Sequence, residues 1–303
     1  VSKLAQVIVL SGPTASGKTN LAIELAHKVN GSVISADSMQ VYKGLDIGTA
    51  KATRHEMAGI THDLIDVVYP DTPYSVADFQ RAARGAIETI YARGQVPIIV
   101  GGSGLYIQSL IFDYVFDTIE PLDYTRYEML STSELAKKLR VVDTKSYEQI
   151  DLNNRRRLVH ALALAEQTDK TKTAREAAGR TEPLYNFLAF AIMPERATLY
   201  ERINARSAAM VEAGLVAETD YFNRKFVLAP QIKAAIGYRE TLDYLAGGYV
   251  DERAYTEAVA QNTRRFAKRQ ITWLKNQRIP YQWLQSAADT VSMEREIIAF
   301  LKK

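Results

Sequence analysis

The chain of 303 residues has no cysteine. Disulfide staples, thiolate metal sites and cysteine nucleophiles are therefore excluded together. Histidine is scarce as well: His27, His55, His62 and His160 are the only four, and their spacing matches no zinc-ligand pattern. The apolar runs fall far short of the ~18 residues that a membrane-spanning helix needs. The first of them, Leu4–Leu10, leads straight into a glycine-containing loop, so it reads as a strand and not as a signal peptide. A cytoplasmic protein with no membrane partner, acting as a monomer, is the expectation. Internal repeats and low-complexity tracts are lacking, and so is a strong charge of one sign. The net charge of +3 by itself says nothing about nucleic acid. What is present is the composition of an ordinary soluble enzyme, 47% hydrophobic and 24% charged, at a length that buries a sizeable core.

The first third alternates short apolar runs with amphipathic stretches. Strands are predicted over Ala5–Leu10, Ser32–Ala36, His62–Val68 and Val96–Gly102, with helices over Thr19–Val29 and Ser75–Gly94. This rhythm implies an α/β fold: a parallel sheet flanked by helices, with ligands gathering at the carboxyl ends of the strands. From about Asp117 to Glu182 strand-like runs vanish, and short helices are predicted over Ser133–Arg140, Asn153–Gln167 and Thr171–Ala178. Tyr185–Met193 then returns as a strand. Long helices follow over Glu195–Arg224, Ile232–Ala246 and Asp251–Gln277, before an edge strand at Ile279–Leu284 and a terminal helix. The simplest account is a phosphate-loop core, residues 1–116 and 185–303, interrupted by an all-helical insertion, residues 117–184.

Gly12-Pro13-Thr14-Ala15-Ser16-Gly17-Lys18-Thr19 is a complete phosphate-binding loop set between a predicted strand and a predicted helix. Its glycines let backbone N–H groups turn onto phosphate oxygens, and the helix N-terminus adds positive dipole. Lys18 supplies a point charge, and Thr19 is placed to ligate Mg²⁺. The loop alone does not say which polyphosphate it holds. Another absence narrows the choice. Motor and switch NTPases carry an acidic residue at the end of a core strand, yet "VPIIV" runs into Gly101-Gly102-Ser103 with no carboxylate.

Asp37 stands immediately after the second strand, at the carboxyl edge of the sheet. It reads either as a proton acceptor for an attacking group or as the cap of a following turn, and spacing alone does not choose between them. Asp46 reads as a turn residue, and Lys43 and Lys51 as solvated side chains. Residues 263–278, "TRRFAKRQITWLKNQR", carry six basic and no acidic side chains, with Phe266, Ile271, Trp273 and Leu274 as an apolar side. Such a helix is a solvated face or a contact for a polyanion. A second cluster, Arg155-Arg156-Arg157, opens the long helix of the insertion. Two basic clusters in two modules suit a nucleic acid held by both.

In order along the chain, "GPTASGKT", "ISADSMQVYKGLDIGTAK", "YSVADFQ", "IIVGGSGLYIQSL", "AAIGYRE" and "TRRFAKRQITWLKN" closely resemble the tRNA dimethylallyltransferase family, also called tRNA isopentenyltransferase. The resemblance spans nearly the whole chain and weakens in the insertion. It implies a P-loop NTPase-like core and a helical insertion that grips the anticodon stem-loop. It also implies transfer of a dimethylallyl group from dimethylallyl diphosphate to the exocyclic N6 amine of the adenine just 3′ of the anticodon. No water then needs activating, which accounts for the missing strand-end carboxylate. The implied catalytic residues are Asp37 as base, with Thr19 and Arg206 at the diphosphate; residues Gly12 to Thr19 cradle that diphosphate with Mg²⁺.

The implied tRNA contacts are Asp37, Ser38, Met39, Gln40, Ser103 and Arg126, then Arg156, Arg157, Leu158, Val159 and His160. Gly237, Tyr238, Arg239, Lys268, Arg269, Gln270, Trp273 and Lys275 complete the set. The chain departs from the family pattern in several places. Ser103 replaces a usual threonine and His160 a common arginine. Asn153-Asn154 stands for Asn-Asp, and the insertion is shorter than usual between Tyr114 and Asn153. Competing readings are a small-molecule kinase with Asp37 as base, an adenylate isopentenyltransferase, and a nucleotide-regulated RNA-binding module.

Overall fold

The computed structural model describes residues 5–112, 114, 116, 122–168, 182–285 and 287–302. The chain divides into two compact units: Val1–Ile111 with Tyr185–Lys303, and Phe112–Leu184.

The first unit is built on six strands: β1 Gln6–Ser11, β2 Gly31–Ser35, β3 His62–Asp63, β4 Val96–Gly101, β5 Asn186–Ile192 and β6 Gln282–Leu284. All pair in parallel, in the order β3-β2-β4-β1-β5-β6. The central strands are continuous apolar runs, as strands covered on both faces must be. Val7 to Leu10 and Ile98 to Ile99 have no exposed surface. On one face α1, Lys18–Val29, lays Ala22, Leu25 and Ala26 against Ile8, Leu10, Val33 and Ile98. On the other lie α2, Val76–Ala92, and α3, Gly104–Ile111, joined by the stacked rings of Phe79 and Tyr106 with centroids 4.3 Å apart. Ser75 and Asp78 form a capping box at the start of α2. The strand order turns at β1, between β4 and β5. The phosphate loop leaves the carboxyl end of that strand, where a crevice is expected in an open α/β sheet.

The second unit packs the helices Thr132–Val142, Thr144–Gln149 and Arg155–Gln167 and a 3₁₀ turn, Thr125–Tyr127. Its core is Tyr127, Leu135, Leu139, Ile150, Leu158, Ala161 and Leu162. Arg155 donates to the carbonyls of Tyr127 and Glu128, each at 2.8 Å, and to that of Leu130, tying the 3₁₀ turn to the long helix.

The α/β architecture expected from the sequence is present, with local differences. The strand expected over His62–Val68 stops at Asp63, because Leu64 and Asp66 take φ of 64° and 56° and turn the chain. The helix expected over Glu195–Arg224 is two, Arg196–Glu212 and Leu215–Lys225, broken at Gly214 with φ 104°. That over Ile232–Ala246 is Pro230–Lys233 and Tyr238–Leu245, broken at Gly237 with φ 92°. The helices Gly104–Ile111 and Thr144–Gln149 were not expected. The helix expected over Thr171–Ala178 lies outside the described residues. Among the described residues no helix is long and apolar enough to cross a membrane.

Candidate functional site

The phosphate loop is shaped by three positive-φ residues, Gly12 at 155°, Ala15 at 61° and Gly17 at 89°. A Cβ at Gly12 would lie 2.9 Å from the Ile192 carbonyl oxygen of β5, so the close approach itself requires glycine. Gln270, from the helix Glu252–Lys275, clamps the loop. Its Oε1 accepts the Thr14 N–H at 2.9 Å, while its Nε2 donates to the Gly102 carbonyl at 3.2 Å. Lys18 Nζ reaches the Pro13 carbonyl at 3.3 Å. Ser16 Oγ is buried and has no hydrogen-bond partner among the described residues.

Arg206, on the helix Arg196–Glu212, comes to lie beside Lys18 and Asp37. Burial is the main cause that pushes Lys18 down to about 8; Asp37 opposes that shift and the Arg206 charge adds to it. Burial likewise lowers Arg206, again opposed by Asp37. Two cations face one carboxylate, an excess of positive charge held out of water. An anion relieves it.

These groups line one cavity of about 110 Å³, far above the ~10–15 Å³ that a single water needs. Its polar lining includes Thr14, Lys18, Thr19, Asp37 and Arg206, with Ser35, Gln40, Thr49, His62 and Gln270, and its apolar lining includes Ala22, Val33, Ala50, Ala52 and Ile65. Asp37 combines the two readings open to the sequence: Oδ1 accepts the Met39 N–H at 2.9 Å and caps a turn, while the side chain lines the cavity. Ser103 Oγ accepts the Ser38 N–H at 3.1 Å and so braces the same turn. Gln40 is held on both sides, accepting from Ser35 Oγ at 2.9 Å and donating to the Thr49 carbonyl at 3.4 Å.

Among the described residues no group of three or more His, Cys, Asp or Glu is placed to hold a metal ion. The donors at the loop are the hydroxyls of Thr19 and Ser16. That set fits Mg²⁺, which takes few protein ligands and draws its other oxygens from bound phosphate and water.

Glu218, which the sequence did not single out, anchors the loop that closes one wall. Its carboxylate accepts the N–H groups of Asp46 and Ile47 at 2.8 Å and of Gly48 at 3.0 Å, and the Tyr238 hydroxyl at 2.8 Å. Gly48 is confined to glycine, since a Cβ there would lie 2.4 Å from the Tyr238 ring. Lys51 is not solvated as expected. Its side chain is 5% exposed and pairs with Asp46 at 2.8 Å and Asp66 at 2.6 Å.

The side chains expected at tRNA fall into three places. Lys268, Arg269 and Lys275 are exposed on the helix Glu252–Lys275; Arg239, on the helix Tyr238–Leu245, is also exposed and pairs with buried Glu240. Arg126, Arg156, Arg157 and His160 are exposed on the second unit and Val159 is half-buried; His160 Nδ1 lies 3.1 Å from the Tyr124 hydroxyl. Others have their side chains turned inward. Leu158 sits in the core of the second unit; Gly237 and Tyr238 are buried, the phenol spent on Glu218; and Gln270 is occupied by the phosphate loop. Trp273 is half-buried against Gly104, where a Cβ would lie 2.1 Å from its ring. Arg264 pairs with Glu257 at 2.7 Å, so the acid-free run still finds an acid two turns back on the same helix.

Comparison with known proteins agrees with this fold. The family model described as IPP transferase matches residues 40–277, and that described as isopentenyl transferase matches residues 5–72. The tRNA dimethylallyltransferase of Anoxybacillus flavithermus is 43% identical over 301 residues, covering 98% of this chain and 96% of its own. That of Bacillus subtilis is 43% identical over 276 residues, covering 89% and 88%. Among solved structures, the tRNA isopentenylpyrophosphate transferase of Bacillus halodurans superposes with a TM-score of 0.74 at 36% identity, over 99% of this chain and 97% of its own. A eukaryotic dimethylallyltransferase acting on tRNA gives 0.81 at 28% identity, over 97% and 77%.

Proposed function

The chain belongs to the tRNA dimethylallyltransferase family, and from that membership we propose that it transfers a dimethylallyl group from dimethylallyl diphosphate to the N6 amine of the adenine 3′ of a tRNA anticodon, releasing diphosphate. The observation that carries the reading is one cavity at the phosphate loop lined by Lys18, Thr19, Arg206 and Asp37 together with the apolar side chains of Ala22, Val33, Ala50, Ala52 and Ile65.

The amine is a poor nucleophile because its lone pair is delocalised into the ring. In the transfer, the bond from N6 to the allylic carbon forms as the carbon–oxygen bond to diphosphate breaks. The electron pair of that bond leaves on the diphosphate, and the amine proton passes to Asp37. Lys18, Arg206 and the N-terminus of α1 stabilise charge that grows as the diphosphate departs, so they favour the transition state over the ground state. Mg²⁺, held by the Thr19 hydroxyl, would neutralise further negative charge when bound. The adenine must leave its stack to reach Asp37. We assign the tRNA contacts to the exposed basic side chains Lys268, Arg269 and Lys275 and to the helical unit 112–184 through Arg126, Arg156, Arg157 and His160.

The test is to incubate the protein with Mg²⁺, dimethylallyl diphosphate and unmodified tRNA and to seek isopentenyladenosine in the digested tRNA by mass spectrometry. Its appearance is expected. Transfer to free AMP but not to tRNA, or phosphorylation of a small acceptor from ATP, would overturn the reading.

A further inference from the structure

Phe266 has no part in the chemistry assigned above, yet it lines the same cavity as Asp37 and Arg206. It is 38% exposed, while every other residue of that lining is buried or half-buried. Phe266 therefore stands where the cavity meets solvent. Its anchorage is rigid. The next residue, Ala267, is fully buried and clusters with Leu199 and Ile203 of the helix Arg196–Glu212, which also carries Arg206. One turn on, Gln270 grips Thr14 and Gly102. The helix Glu252–Lys275 thus fixes an exposed ring relative to both the phosphate loop and the helix of Arg206. Arg269, three residues along, sets its guanidinium 5.7 Å from the ring centroid and is itself exposed.

A single exposed apolar ring is ordinary on a protein surface. Here three observations coincide: a place in the wall of the cavity, a fixed anchorage, and an arginine beside the ring. An aromatic face with a cation at its side is the combination that holds an unstacked nucleobase, the ring against the base and the guanidinium toward an adjoining phosphate. The adenine enters from solvent and must bring its amine to Asp37, so the exposed part of the lining is what its ring meets. Resting on the tRNA-transfer reading above, we propose that Phe266 is the stacking platform for the extruded adenine, the purine lying against the phenyl face while its amine reaches Asp37. The contact offsets part of the free energy spent in taking the base out of its stack. It also selects for a flat base, independently of the groups that hold the diphosphate.

The test compares binding of two anticodon stem-loop RNAs, one with the target adenine and one with an abasic nucleotide in its place, by fluorescence anisotropy without prenyl donor. Phe266→Ala should lower the ratio of adenine to abasic affinity by roughly 5–150-fold, the range for one base stacked on an aromatic side chain. The dependence of binding on salt should not change, because no phosphate contact is lost. Phe266→Trp should keep the wild-type ratio. Phe266→Leu, which keeps apolar bulk without a flat face, should behave like the alanine variant. The affinity of an unreactive thiodiphosphate analogue of dimethylallyl diphosphate should be the same in wild type and Phe266→Ala, which also shows that the site is intact. An unchanged ratio in Phe266→Ala, full recovery in Phe266→Leu, or a matching loss of thiodiphosphate binding would overturn the proposal. Formation of isopentenyladenosine by the wild-type chain, measured separately, judges the underlying reading. A wild type that modifies tRNA while Phe266→Ala leaves the ratio untouched refutes the platform alone; a wild type that binds neither RNA refutes both.

Discussion

Raising the pH from 7 to 10 should weaken binding of a prenyl diphosphate by roughly a hundredfold, with Lys18 responsible for most of the loss. The structure pushes this lysine down to about 8, chiefly by burial. About nine-tenths of it is then charged at pH 7 and about one-hundredth at pH 10. A bound diphosphate restores the charge, so binding above pH 8 must take up a proton, and affinity falls tenfold per pH unit. A lysine at the ordinary 10.5 would stay about three-quarters charged at pH 10, and affinity would fall less than twofold. The ligand adds no slope of its own, since the second ionisation of a phosphate ester is complete well below this range, at about 6. Titration calorimetry with an unreactive thiodiphosphate analogue of dimethylallyl diphosphate, in buffers of different ionisation enthalpy, reads both affinity and proton uptake. Lys18→Arg should abolish the slope, because a guanidinium stays charged throughout; Lys18→Met should bind weakly and without slope. Affinity that stays flat to pH 9.5 in wild type, or an unchanged slope in Lys18→Arg, would refute the reasoning. Stability should move the opposite way. The folded-state pKa lies below the unfolded one, so from about pH 8 to 10.5 the unfolded chain holds more protons and stability rises with pH.

Three further outcomes follow from the same site. Asp37→Ala should cut turnover by roughly 10²–10⁴-fold while largely keeping tRNA affinity; unchanged turnover would leave Asp37 as the cap of its turn alone. Glu218→Ala strips the acceptor from three backbone N–H groups and one phenol. Denaturant unfolding should show a loss of about 1.5–3 kcal/mol, with a raised KM for the prenyl donor as the loop wall loosens; unaltered stability would make Glu218 incidental. Lys268→Ala with Arg269→Ala should weaken tRNA binding and flatten its dependence on salt by about one unit of slope per lost phosphate contact. The same slope as wild type would return that helix to a solvated face.

Legibility differed from residue to residue for physical reasons. The phosphate loop was readable because its turn is made by contiguous residues whose backbone demands are local. Asp37 was readable as a strand-end carboxylate, though its second duty at the Met39 N–H shows only in the fold. Arg206 came from family likeness alone, since nothing in "ERINAR" announces a diphosphate ligand. Nothing in "AAIGYRE" announces that the Tyr238 hydroxyl braces a loop through Glu218 or that the Gly237 N–H is taken by Glu240. The three adjacent arginines of the second unit separate in the same way: Arg155 is turned into its own fold, and Arg156 and Arg157 face outward.

The sequence by itself determined the parallel α/β order, the phosphate loop at the end of β1 and the absence of a carboxylate at the end of the neighbouring strand β4. Each rests on local pattern: runs of apolar residues, glycines that permit a turn, and a side chain that is simply missing. Only the tertiary structure decided which cations meet Asp37, which glutamine clamps the loop, and that Glu218 anchors the loop behind one wall. Those facts depend on burial and on contacts between residues far apart in the chain. A lone pair, a lysine charge or a carboxylate acquires its chemistry from what surrounds it, and that is set only when the chain has closed around it.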